Sequence, residues 1–308
     1  MQQGRHEFCP LACMVVMKPT ELKHLTANVL YLPHYEETDR PVLAAVAGRD
    51  ATLIIDAGNS EEHARTFLAG LAGQHVPPPK YLVITHWHWD HVFGIAAMDL
   101  PTLSHVGTKR KISEMALLDW SDEALDARVA EGMEIAFCSD RLKLELPDPL
   151  RKSLVIKPPD MGFHGTIEID LGGTTCIIEH VGGDHSKDSS IVYVPEGKVV
   201  FLGDCVYPDL YHEPWLYSKE EFFPLVKKLL DFPADYYIDS HKAPLSRGDM
   251  EKRCGEIKQI GEIVYACGAD KNKIFTELKA VFGKEVEEDD IETVNAFVAG
   301  FESLHSPG

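Results

Sequence analysis

Thr85-His86-Trp87-His88-Trp89-Asp90-His91 places three histidines and an aspartate within six residues. The segment follows Tyr81 to Thr85, a short apolar run after the triple proline 77–79 that predicts a buried strand. A lone histidine is usually a packed or solvated residue. Four metal-competent groups spaced H-x-H-x-D-H have no such plain explanation. Alternate residues at an extended strand end point the same way, so His86 and His88 can grip one ion. The turn beyond them can swing Asp90 and His91 toward a neighbouring ion. Imidazole and carboxylate together suit zinc, with iron or manganese also compatible.

Outward from this segment, strands and helices alternate. Leu25 to Leu32 predicts a strand, and Val42 to Ala47 and Ala51 to Ile55 predict a hairpin across Gly48-Arg49-Asp50. Ser60 is placed to cap a helix running to about Leu71, with Glu61 and Glu62 in its first turn. Periodicity predicts helix over Thr108 to Gly132, and Pro147 to Pro159 is rich in loop residues. A meander follows over Thr166 to Leu171, Thr174 to His180, Ser190 to Val194 and Lys198 to Leu202, with Gly172-Gly173 and Glu196-Gly197 as turns. From Ser218 the pattern is helical, broken by one strand at Tyr236 to Asp239, and the last sixty residues carry about three helices.

Composition narrows the partners. The chain has 308 residues, with 30 basic and 49 acidic side chains and a formal charge of −19. That charge opposes nucleic acid and anionic membrane as partners, since both are held by Lys and Arg. The dense acidic run Glu285 to Glu292 reads as a solvated helix start. Seven scattered cysteines, an odd count in a chain too large to need staples, point to free thiols and a cytoplasmic setting. The apolar stretch Phe8 to Met17 follows Arg5. It contains Pro10, lacks a small-x-small cleavage site and is too short to span a bilayer.

The histidine segment, taken with three later elements, resembles the signature of the metallo-β-lactamase superfamily. These elements are His185 in Gly182-Gly183-Asp184-His185-Ser186, Asp204 in Phe201-Leu202-Gly203-Asp204, and His241 in Ile238-Asp239-Ser240-His241. The resemblance spans roughly residues 25 to 245. It implies an α/β fold, the αββα sandwich of that type, with a C-terminal helical extension. Residues 1–245 would form the catalytic domain, and 246–308 a helical extension packed on it. It implies one metal held by His86, His88 and His185. A second would be held by Asp90, His91 and His241, with Asp204 bridging the pair. The implied activity is a dinuclear metal-dependent hydrolase, with two divalent ions (zinc foremost) sharing a hydroxide that attacks a small ester, lactone, thioester or amide. Asp90 would receive the nucleophile's proton.

Departures from the family pattern narrow this further. Asp204 stands where many lactamases carry a zinc-bound cysteine, and Tyr207 replaces their substrate-binding lysine. True β-lactamase activity is therefore not expected. Tyr207 instead resembles the tyrosine of acyl-homoserine lactonases, whose phenol meets the developing oxyanion. Cys205, beside Asp204 on a strand end, should point the other way and be inert. The insertion Met98 to His164 and the aromatic loop Tyr207 to Tyr217, with His212 within it, are the expected pocket walls. The rival readings are a phosphodiesterase on the same fold, and a non-enzymatic metal-binding protein. A small-molecule substrate is the expected partner, with a homodimer through the helical tail as a further expectation.

Overall fold

The computed structural model describes residues 17–211, 213–283 and 285–305. Cys9, Cys13, His212 and all of the apolar stretch before Met17 lie outside the described residues. Among the described residues, thirteen strands form two sheets. The first runs in chain order as β1 (Lys23–His24), β2 (Val29–Leu32), β3 (Leu43–Ala47), β4 (Thr52–Ile55), β5 (Pro79–Ile84), β6 (Thr102–His105) and β7 (Met161–Phe163). It is antiparallel as far as β4 and parallel from there on. The second contains β8 (Thr166–Asp170), β9 (Thr175–His180), β10 (Ser190–Val194), β11 (Val199–Gly203), β12 (Tyr236–Asp239) and β13 (Leu245–Ser246). Only β11 and β12 pair in parallel there.

The helices are α1 (Glu61–Ala72), α2 (Trp89–Val92), α3 (Ile95–Met98), α4 (Val106–Met115), α5 (Asp122–Ala130), α6 (Ala136–Glu145), α7 (Asp148–Arg151), α8 (Lys219–Asp231), α9 (Arg247–Cys267), α10 (Lys271–Phe282) and α11 (Glu288–His305). Side-chain alternation along the strands builds the layers. On β4, Leu53 and Ile55 face the second sheet and join Val192, Val199, Phe201 and Ile238 in the central core. Ile54 faces outward and packs with Phe67, Phe93 and Ile112 of the first helical layer. Outside the second sheet, Val200 and Leu202 meet Phe222, Ile260, Leu278 and Phe297 of α8 to α11. The four layers are an αββα sandwich, and the last three helices are an extension sharing a core with the second sheet.

Several boundaries differ from expectation. The strand expected from Leu25 begins at Val29, because Leu25 N bonds to Val29 O at 2.9 Å and closes a turn. The long helix expected over Thr108 to Gly132 is two, since Ser121 accepts from Ala124 N and starts a fresh helix behind the buried Trp120. α7 sits within the segment expected to be loop, and the short β13 adds a strand beside β12. Ser60 does cap α1, accepting from His63 N at 3.1 Å. Its hydroxyl also donates to the buried Glu145 carboxylate at 2.6 Å.

α11 lies hard against the chain at Tyr217. A Cβ on Gly300 would stand 1.9 Å from the Tyr217 carbonyl oxygen, which as backbone cannot swing aside. Gly300→Ala is expected to destabilise the protein by about 1–3 kcal/mol, read from the midpoint of urea unfolding.

His63 of α1 is wholly buried, and neither ring nitrogen has a hydrogen-bond partner. Burial, reinforced by Arg40, lowers its pKa to about 3. Because the folded value lies below the unfolded one, the stability tied to this neutral ring is complete above about pH 6.5. It is lost as pH falls toward 3. The expected contribution to acid destabilisation is about 3 kcal/mol at pH 4, at ~1.4 kcal/mol per unit. Urea melts of His63→Leu at pH 7 and pH 4 should show the dependence on pH reduced by that amount.

Candidate metal centre

The two sheets bring their strand ends together along one edge. Thr85 directly follows β5, and His86, His88, Asp90 and His91 lead on from it into α2. His185 lies on the turn between β9 and β10, Asp204 directly after β11 and His241 shortly after β12. Gly203 makes this possible. Its φ is +53°, and a Cβ there would stand 2.8 Å from Thr85 Oγ1, so only glycine lets β11 carry Asp204 up beside His86.

All seven positions converge into two adjoining groups. His86, His88 and His185 form one; Asp90, His91, Asp204 and His241 form the other, and each group's ligand atoms lie within 4.8 Å of one another. Asp204 Oδ2 stands between them. It is 3.9 Å from His86 Nε2 and 3.6 Å from His185 Nε2 on one side, and 3.4 Å from His91 Nε2 and 3.2 Å from His241 Nε2 on the other. Asp90 Oδ2 lies 3.0 Å from His91 Nε2 and 3.3 Å from His241 Nε2.

The imidazoles of His86, His91, His185 and His241 are each aimed by a partner on Nδ1, whereas His88 turns its Nδ1 to His86 Nε2 at 3.1 Å. His86 Nδ1 meets Thr85 Oγ1 at 3.1 Å, and His91 Nδ1 meets Asp56 Oδ2 at 2.9 Å. His185 Nδ1 bonds to the Pro208 carbonyl at 3.1 Å, and His241 Nδ1 lies 3.3 Å from Asp39 Oδ1. Asp56 directly follows β4 with φ +60° and also accepts from Thr85 N and Oγ1, so one carboxylate braces both Thr85 and His91. Apart from Thr85, which adjoins the motif, none of these partners is apparent there, because each is distant in sequence or a backbone group.

The electrostatics divide the same way. Burial and the neighbouring rings hold His86 and His88 well below the ordinary imidazole range, so both are neutral and able to ligate. Burial also acts to lower His91 and His241, but the surrounding carboxylates outweigh it and hold both well above that range. Burial alone would raise Asp90 and Asp204, yet the same imidazoles keep them ionised. The residues fit a metal by a second criterion. His185 Nε2 and Asp204 Oδ1 are buried with no hydrogen-bond partner, both at this one point. Such orphaned atoms cost free energy unless something coordinates them.

Tyr207 faces the site, with its ring 6.1 Å from His185 and 6.3 Å from His241. Its hydroxyl donates to Asp239 Oδ1 at 2.7 Å, beneath the Arg253 guanidinium. Asp239 is fully buried, accepts from His241 N at 2.9 Å and pairs with Arg253 at 2.5 Å. The extension thus reaches the centre through Arg253, which no sequence pattern marks. Cys205 packs in the outer core, where burial pushes its thiol well up. Trp87 packs edge-on to His88 at 4.6 Å, and Tyr211 of the aromatic loop lies 5.5 Å from the same ring. Lys187 pairs with Asp184 and Glu221.

The fold and site define a class, and sequence comparison agrees with it. The chain belongs to the metallo-beta-lactamase superfamily, whose profile matches residues 38–242. Among curated proteins it is similar to a linear primary-alkylsulfatase of Pseudomonas sp. (strain ATCC 19151), with 26% identity over 216 residues. That match covers 64% of this chain but only 40% of the relative's length. Among solved structures, a stereoselective inverting sec-alkylsulfatase from Pseudomonas sp. superposes with a TM-score of 0.63 at 14% identity, over 92% of this chain and 50% of that one. A metallo-beta-lactamase family protein from Thermus thermophilus gives 0.56 at 16% identity, over 92% and 94%. No described helix is long and apolar enough to cross a membrane.

Proposed function

We propose that this protein is a dinuclear metal-dependent hydrolase of small esters, sulfate monoesters included. The placement of Asp204 Oδ2 within 3.9 Å of imidazoles from both groups carries the reading, because a shared carboxylate is what two adjacent cations require. His86, His88 and His185 would hold one cation and Asp90, His91 and His241 the other, with Asp204 common to both. The imidazole-rich donor set favours zinc. Divalent cations held there would supply Lewis acidity, giving hydroxide at neutral pH and polarising the oxygen under attack. Asp90, a carboxylate within reach of both His91 and His241, is placed to accept the proton released. Tyr207 can meet an oxyanion only by giving up its bond to Asp239, so in the resting protein it braces that aspartate. The likeness to two alkylsulfatases adds sulfate monoesters to the carboxylic esters, lactones, thioesters and amides that the centre suits.

The test joins metal content to chemistry. Plasma mass spectrometry of the purified protein should find about two equivalents of a divalent metal per chain. Zinc- and manganese-loaded protein should hydrolyse at least one member of a panel spanning carboxylic, sulfate and phosphate esters, with activity lost to a chelator and restored by metal. Fewer than two equivalents after loading, or no hydrolysis anywhere in the panel, would overturn the proposal.

A further inference from the structure

Beside His88 lies a cavity of about 240 Å³ that no ligand group of the centre explains. Its wall is aromatic, made by Trp87, Trp89, Trp120 and Tyr211 with Met115. Trp87 and Tyr211 belong to both places, since each packs on the His88 ring and each lines the cavity. The mouth is rimmed by Leu118 and Met133, both exposed. An apolar cavity of roughly 150 Å³ accommodates benzene, so this one has room for a single substituted ring.

Its polar groups are uneven. Trp120 Nε1, Arg128 Nε and Arg128 Nη2 are buried without an acceptor, and the Arg128 guanidinium sits 4.8 Å over the Trp120 ring. All three are donors only. Buried donors left unmet cost free energy, which an incoming acceptor oxygen would recover. Arg128 is half-buried near the end of α5, and its Nη1 donates to the Asp119 carbonyl at 2.7 Å, which holds the guanidinium at the cavity wall with Nε and Nη2 still unmet. Glu134 on the same wall is hydrogen-bonded to Tyr211, and burial pushes its carboxyl up. Lys111, over the face of Trp87, lies at the rim and is paired there with Glu114 at 3.9 Å, which leaves Arg128 as the cation facing the cavity. A second cavity, on the Tyr207 side of the centre, carries Lys242 and Arg253 against Glu256, Glu287, Asp289, Asp290 and Glu292, so its lining is acidic in balance and suits an anion less.

We propose that the aromatic cavity is a substrate subsite. It receives a single aromatic ring whose carboxylate is met by Arg128 and Trp120, while the scissile ester lies at the metal centre. The inference rests on the hydrolytic reading, and it names the substrate class as a benzoate-bearing ester.

Three of the chain's four tryptophans line the cavity, so binding is visible without turnover. Benzoate and benzyl alcohol are titrated against tryptophan fluorescence, on metal-loaded and on chelator-stripped protein. Benzoate should give a saturable change in both preparations. Arg128→Met should weaken benzoate tenfold or more and benzyl alcohol less than twofold, with Arg128→Lys between. In turnover, 4-carboxybenzyl acetate should show a KM at least tenfold below that of methyl acetate, and Arg128→Met should raise that KM with kcat unchanged. Benzoate binding that vanishes on stripping the metal, or is unmoved in Arg128→Met, would overturn the subsite. Intact benzoate binding with neither ester cleaved would instead remove the hydrolytic reading and leave a ligand site in place.

Discussion

Asp204→Ala is expected to bring the metal content of the loaded protein from about two equivalents to one or none. It should also lower hydrolysis of whichever ester the wild type cleaves by ~10³-fold. The side chain is 4% exposed, and one oxygen lies within 3.9 Å of four imidazole nitrogens drawn from both ligand groups. Loss of a shared carboxylate removes several kcal/mol of transition-state stabilisation, and each ~1.4 kcal/mol is tenfold in rate. Asp204→Asn separates shape from charge. It keeps an oxygen in place, and should retain more metal than alanine while remaining slow. Two tightly bound equivalents in Asp204→Ala would show that the carboxylate is not shared.

The second large effect is expected at Arg253, on the extension. Its guanidinium pairs with Asp239, a fully buried carboxylate that also accepts from Tyr207 and from the His241 backbone. Deleting one partner of a buried pair strands the other charge, at a cost of about 3–5 kcal/mol. Arg253→Ala should lose about that much stability in urea unfolding. It should also weaken metal binding at the His241 side ~10–100-fold, the usual effect of losing a group behind a ligand. Arg253→Lys keeps the charge but not the planar head over Tyr207, so it should restore most of the stability and less of the metal affinity. Competition with a chromogenic chelator measures the second quantity. Unchanged affinity with reduced stability would assign Arg253 to folding alone.

What was legible in the sequence was what is local. H-x-H-x-D-H declares itself because one strand end and one turn carry four of the seven positions, and the meander declares itself through turn residues at hairpin spacing. The three later candidate positions were readable through the resemblance, each falling shortly after a recognisable strand. The bracing partners were not. Asp56, Asp39, the Pro208 carbonyl and Arg253 reach the site only after the chain has crossed between layers, and nothing near them in sequence differs from an ordinary strand end or helix face. α6 escaped notice for a related reason. Its inward face includes Cys138, Ser139 and Glu145, and Glu145 is buried because Arg40 and Ser60 meet it from distant segments. A polar residue held in a core by remote partners breaks the apolar rhythm by which a helix is recognised.

The seven positions are shared between the sheets: His86, His88, Asp90 and His91 leave the first, while His185, Asp204 and His241 leave the second. Cations seated among them would therefore act as a clasp between two layers that otherwise meet mainly through the apolar core. By mass action each would add about 2.7 kcal/mol of stability at a free concentration one hundred times its dissociation constant. Loss of metal would then loosen the seam between the sheets as well as stop the chemistry, and cellular metal supply would govern how long the protein lasts.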